Sequence, residues 1–104
     1  AFIASLDQMP DLDAIVNGES VEAPKEIDLQ YAVATALVGK AIRAKETDDA
    51  MKVHGNILNY ANNFPQREMG VMMVSDMHRA IGQDIFAVPE FASWADKIAD
   101  LMLY

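Results

Sequence analysis

Residues 28–45 read DLQYAVATALVGKAIRAK, and the fold turns on how that stretch is taken. Wound at roughly 100° per residue, its first three turns leave only Asp28, Gln30 and Thr35 polar, and these do not form one continuous face. A helix that is apolar on most sides has to be covered by other helices. Its cations Lys40, Arg43 and Lys45 come late, where positive charge suits the negative end of the helix dipole. The stretch therefore predicts the central helix of a small all-α domain.

Working outward, Thr47 is a candidate N-cap for the next helix, with Asp48 and Asp49 supplying negative charge to its first turn. Ala50, Val53, Ile57, Leu58, Ala61 and Phe64 form the apolar side of that helix, opposite Lys52, Asn56, Asn59 and Asn63. Pro65 ends it and fits the first turn of its successor, from about Gln66 to Ile81, which is expected to bury Met69, Met73, Val74, Met77, Ala80 and Ile81. Gly82 stops this helix and Pro89 opens the last one. There Phe91, Trp94, Ala95, Ile98, Leu101 and Met102 point inward, while Glu90, Ser93, Asp96, Lys97 and Asp100 point outward.

On the N-terminal side, Phe2, Ile3 and Leu6 sit at helical spacing ahead of a turn at Met9 and Pro10. Asp11 then caps a turn or two through Asp13, Ala14 and Ile15, with Asn17 and Gly18 as the stop. Residues 18–26 form a polar, acidic loop containing Pro24. The expected fold is thus a compact bundle of four main helices plus one or two short N-terminal ones around the helix at about 28–45. Gly39 and the neighbouring alanines offer a place for another helix to come close. No alternating run bounded by a hairpin turn suggests a strand.

The chain of 104 residues is read as one domain, large enough to bury about 65% of its unfolded surface. It has no cysteine, which removes disulfides and thiolate chemistry and fits a cytoplasmic setting. A formal net charge of −8 repels phosphates and anionic lipid, so nucleic acid and membrane are poor partners and a protein surface is the better one. The opening AFIASL reads as the tail of a helix begun upstream, and so as part of a longer polypeptide.

No catalytic, cofactor or metal constellation emerges. Gly39-Lys40 lacks the other elements of a phosphate loop, since Ala34 and Ala41 stand where glycine and serine or threonine are needed. Asp76 and His78, two apart on a helix, point about 200° from each other and do not share a metal site. His54 lies beside an apolar stripe with no carboxylate or second histidine at i±4, as expected of a partly buried, hydrogen-bonded side chain. No serine stands in a nucleophile elbow, and pairs such as Asp48-Asp49 serve helix starts. One surface feature remains. On the helix from Gln66, the polar line Glu68, Ser75 and Arg79 has Met72 within it and Val71 beside it. Both are expected to face outward and contact another domain or subunit.

Four stretches carry a resemblance: MPDLDAI at 9–15, LQYAVATALVGKA at 29–41, NFPQREMGVMMVSDMHRA at 63–80 and PEFASWA at 89–95. In this order they resemble the C-terminal part of MoxR-like AAA+ ATPases. The resemblance implies a non-catalytic helical module following a nucleotide-binding core, in a ring-forming, chaperone-like motor whose parent chain uses ATP and Mg. Its partners are the upstream core, neighbouring subunits or client proteins. The family's Walker motifs, sensors and arginine finger have no matching positions here, so the chain itself is expected to be no enzyme and to bind no ATP. A free-standing acidic adaptor or oligomerisation module is the alternative.

Overall fold

The computed structural model of the chain describes residues 9–102, and for Met102 the backbone alone. The helix expected around Phe2, Ile3 and Leu6 lies outside the described residues, as does the side chain of Met102. Among the described residues five α-helices follow one another: α1 (Leu12–Val16), α2 (Ile27–Ala44), α3 (Ala50–Ala61), α4 (Arg67–Ile81) and α5 (Ala92–Met102). Two 3-10 helices, Gly82–Ala87 and Pro89–Phe91, join α4 to α5, and no strand occurs among the described residues. The all-α bundle expected from the sequence is the observed architecture.

Local chemistry sets most of the boundaries. The Asp11 carboxylate accepts the Ala14 amide at 3.2 Å and so caps α1. Gly18 then leaves the helix with φ +89°, a conformation that costs other residues steric strain. Gly82 does the same for α4 at φ +73°. Thr47 behaves differently from expectation. Its hydroxyl donates back to the Ala44 carbonyl at 2.8 Å, closing α2, and α3 starts after Asp49 with no side-chain cap. The threonine side chain took the nearer orphan acceptor, one of the carbonyls that every helix leaves unpaired at its C-terminus.

α2 packs most extensively on α4 and also meets α1 and α3, while α3 touches α1, α4 and the Pro89–Phe91 turn. The core gathers Val33, Ala34, Leu37 and Ala41 of α2, Ile57 and Leu58 of α3, Met73, Val74 and Met77 of α4, and Trp94 and Ile98 of α5. Ile85 of the first 3-10 helix is wholly buried among them. Two methionines at the centre supply unbranched, polarisable filling that adapts to irregular gaps.

Glycine sets one helix contact. A Cβ on Gly70 of α4 would lie 2.7 Å from the Ala61 carbonyl oxygen and 3.0 Å from the Trp94 ring. Only a hydrogen fits between those two helices there. Gly39, expected to admit a neighbouring helix, has nothing within 4 Å of the place a Cβ would occupy. Two further expectations need correction: Ala80 and Ala95 are exposed. Ala80 lies on the outer side of the last turn of α4, between the inward Met77 and Ile81, and Ala95 is displaced from the core by Trp94 and Ile98, which fill the inward face of α5.

Specific bonds fasten α5 to its neighbours. Trp94 Nε1 donates to the Leu58 carbonyl at 3.1 Å, and Lys97 Nζ donates to Asn62 Oδ1 at 3.0 Å while lying 4.4 Å over the Trp94 ring. The Asn62 amide turns to Asn59, 3.2 Å away, so the Leu58 carbonyl in the last turn of α3 receives its hydrogen bond from the tryptophan.

Candidate functional site

Val71 and Met72 are not the outward pair expected of them. Val71 is 5% exposed and belongs to the core cluster, and Met72 is half-buried against it. Gly70 explains the difference: by letting α3 and α5 come close, it draws that side of α4 into the interior, so the residue next to it is covered too. The polar positions on the same helix do reach the surface, however. Ser75 and Arg79 lie on the rim of a groove of about 470 Å³ whose walls are Phe86 and Phe91 on one side and Ala95, Ile98 and Ala99 on the other.

The groove arises from the 3-10 helix that follows Gly82. This tight turn buries Ile85 and, by the same rotation, throws the next residue outward, leaving Phe86 61% exposed. Phe86 is held by other rings. Its centroid is 5.2 Å from that of Phe91 and 5.0 Å from the His78 imidazole, both edge-to-face, and His78 lies 5.8 Å from Phe91 in a tilted arrangement. Such geometry matches ring edges to ring faces and fixes the three side chains relative to one another. At the mouth, Arg79 is paired with Asp76. Asp76 and His78 therefore go to different neighbours, as their spacing on the helix requires.

The result is a fixed aromatic wall, a facing wall of small and branched aliphatic side chains, and a hydrogen-bonding rim of serine, histidine and arginine. Chemically it can take up an apolar side chain or the apolar face of a helix and orient it with polar contacts at the edge. The signal for it in the sequence is the run IFAVPEF at 85–91, where two phenylalanines five apart flank a proline that breaks helical period.

The remaining candidates are accounted for by structure. His54 is buried, and its Nε2 is 2.9 Å from the Ala41 carbonyl. That bond requires the Nε2–H tautomer and ties α3 to α2. Lys40 pairs with Asp13 at 3.2 Å across to α1. Glu90, expected outward, is half-buried, its carboxylate lying where a Cβ on Gly55 would be. Tyr60 is buried behind the 18–26 loop, its hydroxyl 3.5 Å from the Glu22 carbonyl, and loss of solvent around the phenol pushes its pKa up to about 12. Gln30 keeps one buried amide oxygen without a partner. No group of three or more His, Asp or Glu stands together as a metal site among the described residues, and no helix there is long and apolar enough to cross a membrane.

A second apolar surface lies on α2. Ile27, Tyr31 and Ile42 are 50%, 56% and 45% exposed, so the helix read as covered on most sides is bare along one of them. No protein-family model matches the chain, and no curated protein or solved structure matches it significantly.

Proposed function

We propose that this chain is a non-catalytic contact module, the C-terminal helical region of a MoxR-like AAA+ ATPase. Its aromatic groove receives an apolar side chain from the surface of the upstream nucleotide-binding core or of a neighbouring subunit. The observation that carries the contact role is Phe86, a phenylalanine 61% exposed yet locked between His78 and Phe91 at the lip of an apolar groove. An exposed aromatic normally gains nothing by being rigid. A preorganised one gives up little conformational freedom on binding, which favours it as an anchor. The family assignment is supported by the order of the four matching stretches, and it places ATP and Mg on the parent chain.

The test has two parts. The reading frame upstream of Ala1 is expected to encode G-x-x-x-x-G-K-[ST], and the protein it encodes, expressed separately, is expected to bind this chain in a calorimetric titration. Phe86→Glu should weaken that binding at least tenfold while leaving the circular dichroism spectrum unchanged. A frame with no nucleotide-binding core would end the ATPase reading, and equal affinity of the Phe86→Glu chain would end the role of the groove. The chain alone should show no ATP-dependent rise in melting temperature, because only a ligand that binds the native state raises it.

A further inference from the structure

We propose that Asn17-Gly18, the stop of α1, is a self-modifying site. Whenever the end of α1 opens, Asn17 can convert to aspartate or isoaspartate, with water as the only co-reactant. The inference uses neither the aromatic groove nor the identity of the parent chain.

The reaction needs a backbone nitrogen free to reach the side chain before it. The Gly18 nitrogen attacks Asn17 Cγ and forms the C–N bond that closes an imide ring. The Cγ–Nδ2 bond breaks, and the side-chain nitrogen leaves as ammonia with the proton that the Gly18 nitrogen gives up. Water then adds to one of the imide carbonyls and breaks its bond to nitrogen. Opening at Cγ restores the backbone with an aspartate, whereas opening at the main-chain carbonyl leaves the backbone running through the side chain as isoaspartate.

Of the five asparagines only Asn17 precedes a glycine. Asn56, Asn59, Asn62 and Asn63 are followed by Ile57, Tyr60, Asn63 and Phe64, whose side chains crowd the nitrogen that would attack. Gly18 has no Cβ and leaves that nitrogen unobstructed. Asn17 is also exposed.

The closed fold holds the reaction back. The Gly18 amide donates to the Ile15 carbonyl at 3.0 Å and the Glu19 amide to the Ala14 carbonyl at 2.9 Å, the paired bonds by which a left-handed glycine ends a helix. Asn17 sits at ψ −3°, which keeps the Gly18 nitrogen turned away from the side-chain branch. Asn56 of α3 clamps the turn from outside. Its Nδ2 donates to the Val16 carbonyl at 2.9 Å, and its amide group lies 3.1–3.3 Å from the place a Cβ on Gly18 would occupy. Conversion is therefore confined to molecules in which the end of α1 has opened. Such opening is far faster than the chemistry, so the observed rate is the intrinsic rate multiplied by the open fraction. α1 is five residues long with Ala14 and Ile15 as its buried residues, and so short a helix opens readily.

The isoaspartyl product does not rebuild the stop. It carries one more carbon in the main chain, so the Gly18 and Glu19 amides no longer fall opposite Ile15 and Ala14, and those carbonyls lose their partners. Either product also sets a carboxylate at the negative end of the α1 dipole, beside Glu19. The site thus records the time the chain has spent with α1 open.

Peptide mapping by mass spectrometry, on the intact chain held at mildly alkaline pH for several weeks, is expected to find Asn17 converted at least about tenfold ahead of any other asparagine. Urea that unfolds the chain should speed Asn17 at least about tenfold, since the whole population is then open. Asn56→Ala, which frees the Val16 carbonyl and uncovers Gly18, should speed it at least about threefold in the folded chain and leave the rate in urea as it was. Gly18→Ala, read in urea so that strain in the fold does not enter, should slow conversion at least about tenfold. The purified isoaspartyl chain should melt below the unmodified one. Asn17 intact while other asparagines convert, equal rates in folded and unfolded chains, no acceleration by Asn56→Ala, no effect of Gly18→Ala in urea, or an isoaspartyl chain that melts with the unmodified one would each overturn the proposal.

Discussion

α2 and α4 form the most extensive helix pair among the described residues, yet they are enclosed to different degrees. α4 has Val71, Met73, Val74, Met77 and Ile81 in the core, while α2, with the more uniformly apolar sequence, leaves Ile27, Tyr31 and Ile42 half open to water. The apolar content of a helix therefore did not decide how much of it was covered. What decided it was how closely neighbours could approach. Gly70 lets α3 and Trp94 close over α4, whereas a Cβ on Gly39 of α2 would have nothing within 4 Å among the described residues. An apolar face left uncovered by the fold is available to something else.

The sharpest way to break this comparison is to remove matching apolar volume from each helix. Met77→Ala in α4 should cost about 2–5 kcal/mol in urea unfolding, because a buried side chain leaves a cavity. An equal loss from Ile42→Ala in α2, measured in the dilute chain, would refute the contrast.

The two glycines come next, and their effects should have opposite signs. Gly70→Ala pushes a methyl group against a backbone carbonyl and should lose about 1–3 kcal/mol. Gly39→Ala has open space and ordinary helical geometry, so in dilute solution it should gain about 0.5–1 kcal/mol by restricting the unfolded chain. Thermal unfolding of both variants at one protein concentration would show the sign of each.

Enclosure also leaves a mark on pH dependence. The Tyr60 phenol titrates at about 12 in the fold against 10.0 when solvated, so the folded state favours the protonated form. Its contribution is complete below pH 10 and is lost as the pH climbs towards 12, amounting to a deficit on the order of 1 kcal/mol at about pH 11. Tyr60→Phe should abolish that portion of the alkaline loss, with Tyr31→Phe as the exposed control. The smallest effect belongs to the open face of α2: Ile42→Ser should shift stability by less than about 0.5 kcal/mol in the same unfolding measurement, as exposed substitutions do.

Much of this fold was legible because helix boundaries are written locally. Asp11, Gly18, Pro65, Gly82 and Pro89 each act through the geometry of a few adjoining residues, and the expected elements end within a few residues of the observed ones. Inward positions were legible wherever a large side chain recurred at helical spacing, as Phe91, Trp94 and Ile98 do. The rest depended on partners distant in sequence. Nothing near Val71 announces that α3 and α5 will close over it, and nothing near Tyr31 announces that no helix will. The groove was hidden for another reason. Its aromatic wall spans a 3-10 turn, where neither the helical nor the extended period places Phe86 and Phe91 side by side.

The single tryptophan has a consequence for folding. The last turn of α3 receives the Trp94 hydrogen bond at the Leu58 carbonyl, and 36 residues separate donor from acceptor. That carbonyl is satisfied only once α5 has docked, because its partner comes from a distant part of the chain. Indole emission, shifting to shorter wavelength as the ring leaves water, therefore reports the closing of α5 over α3.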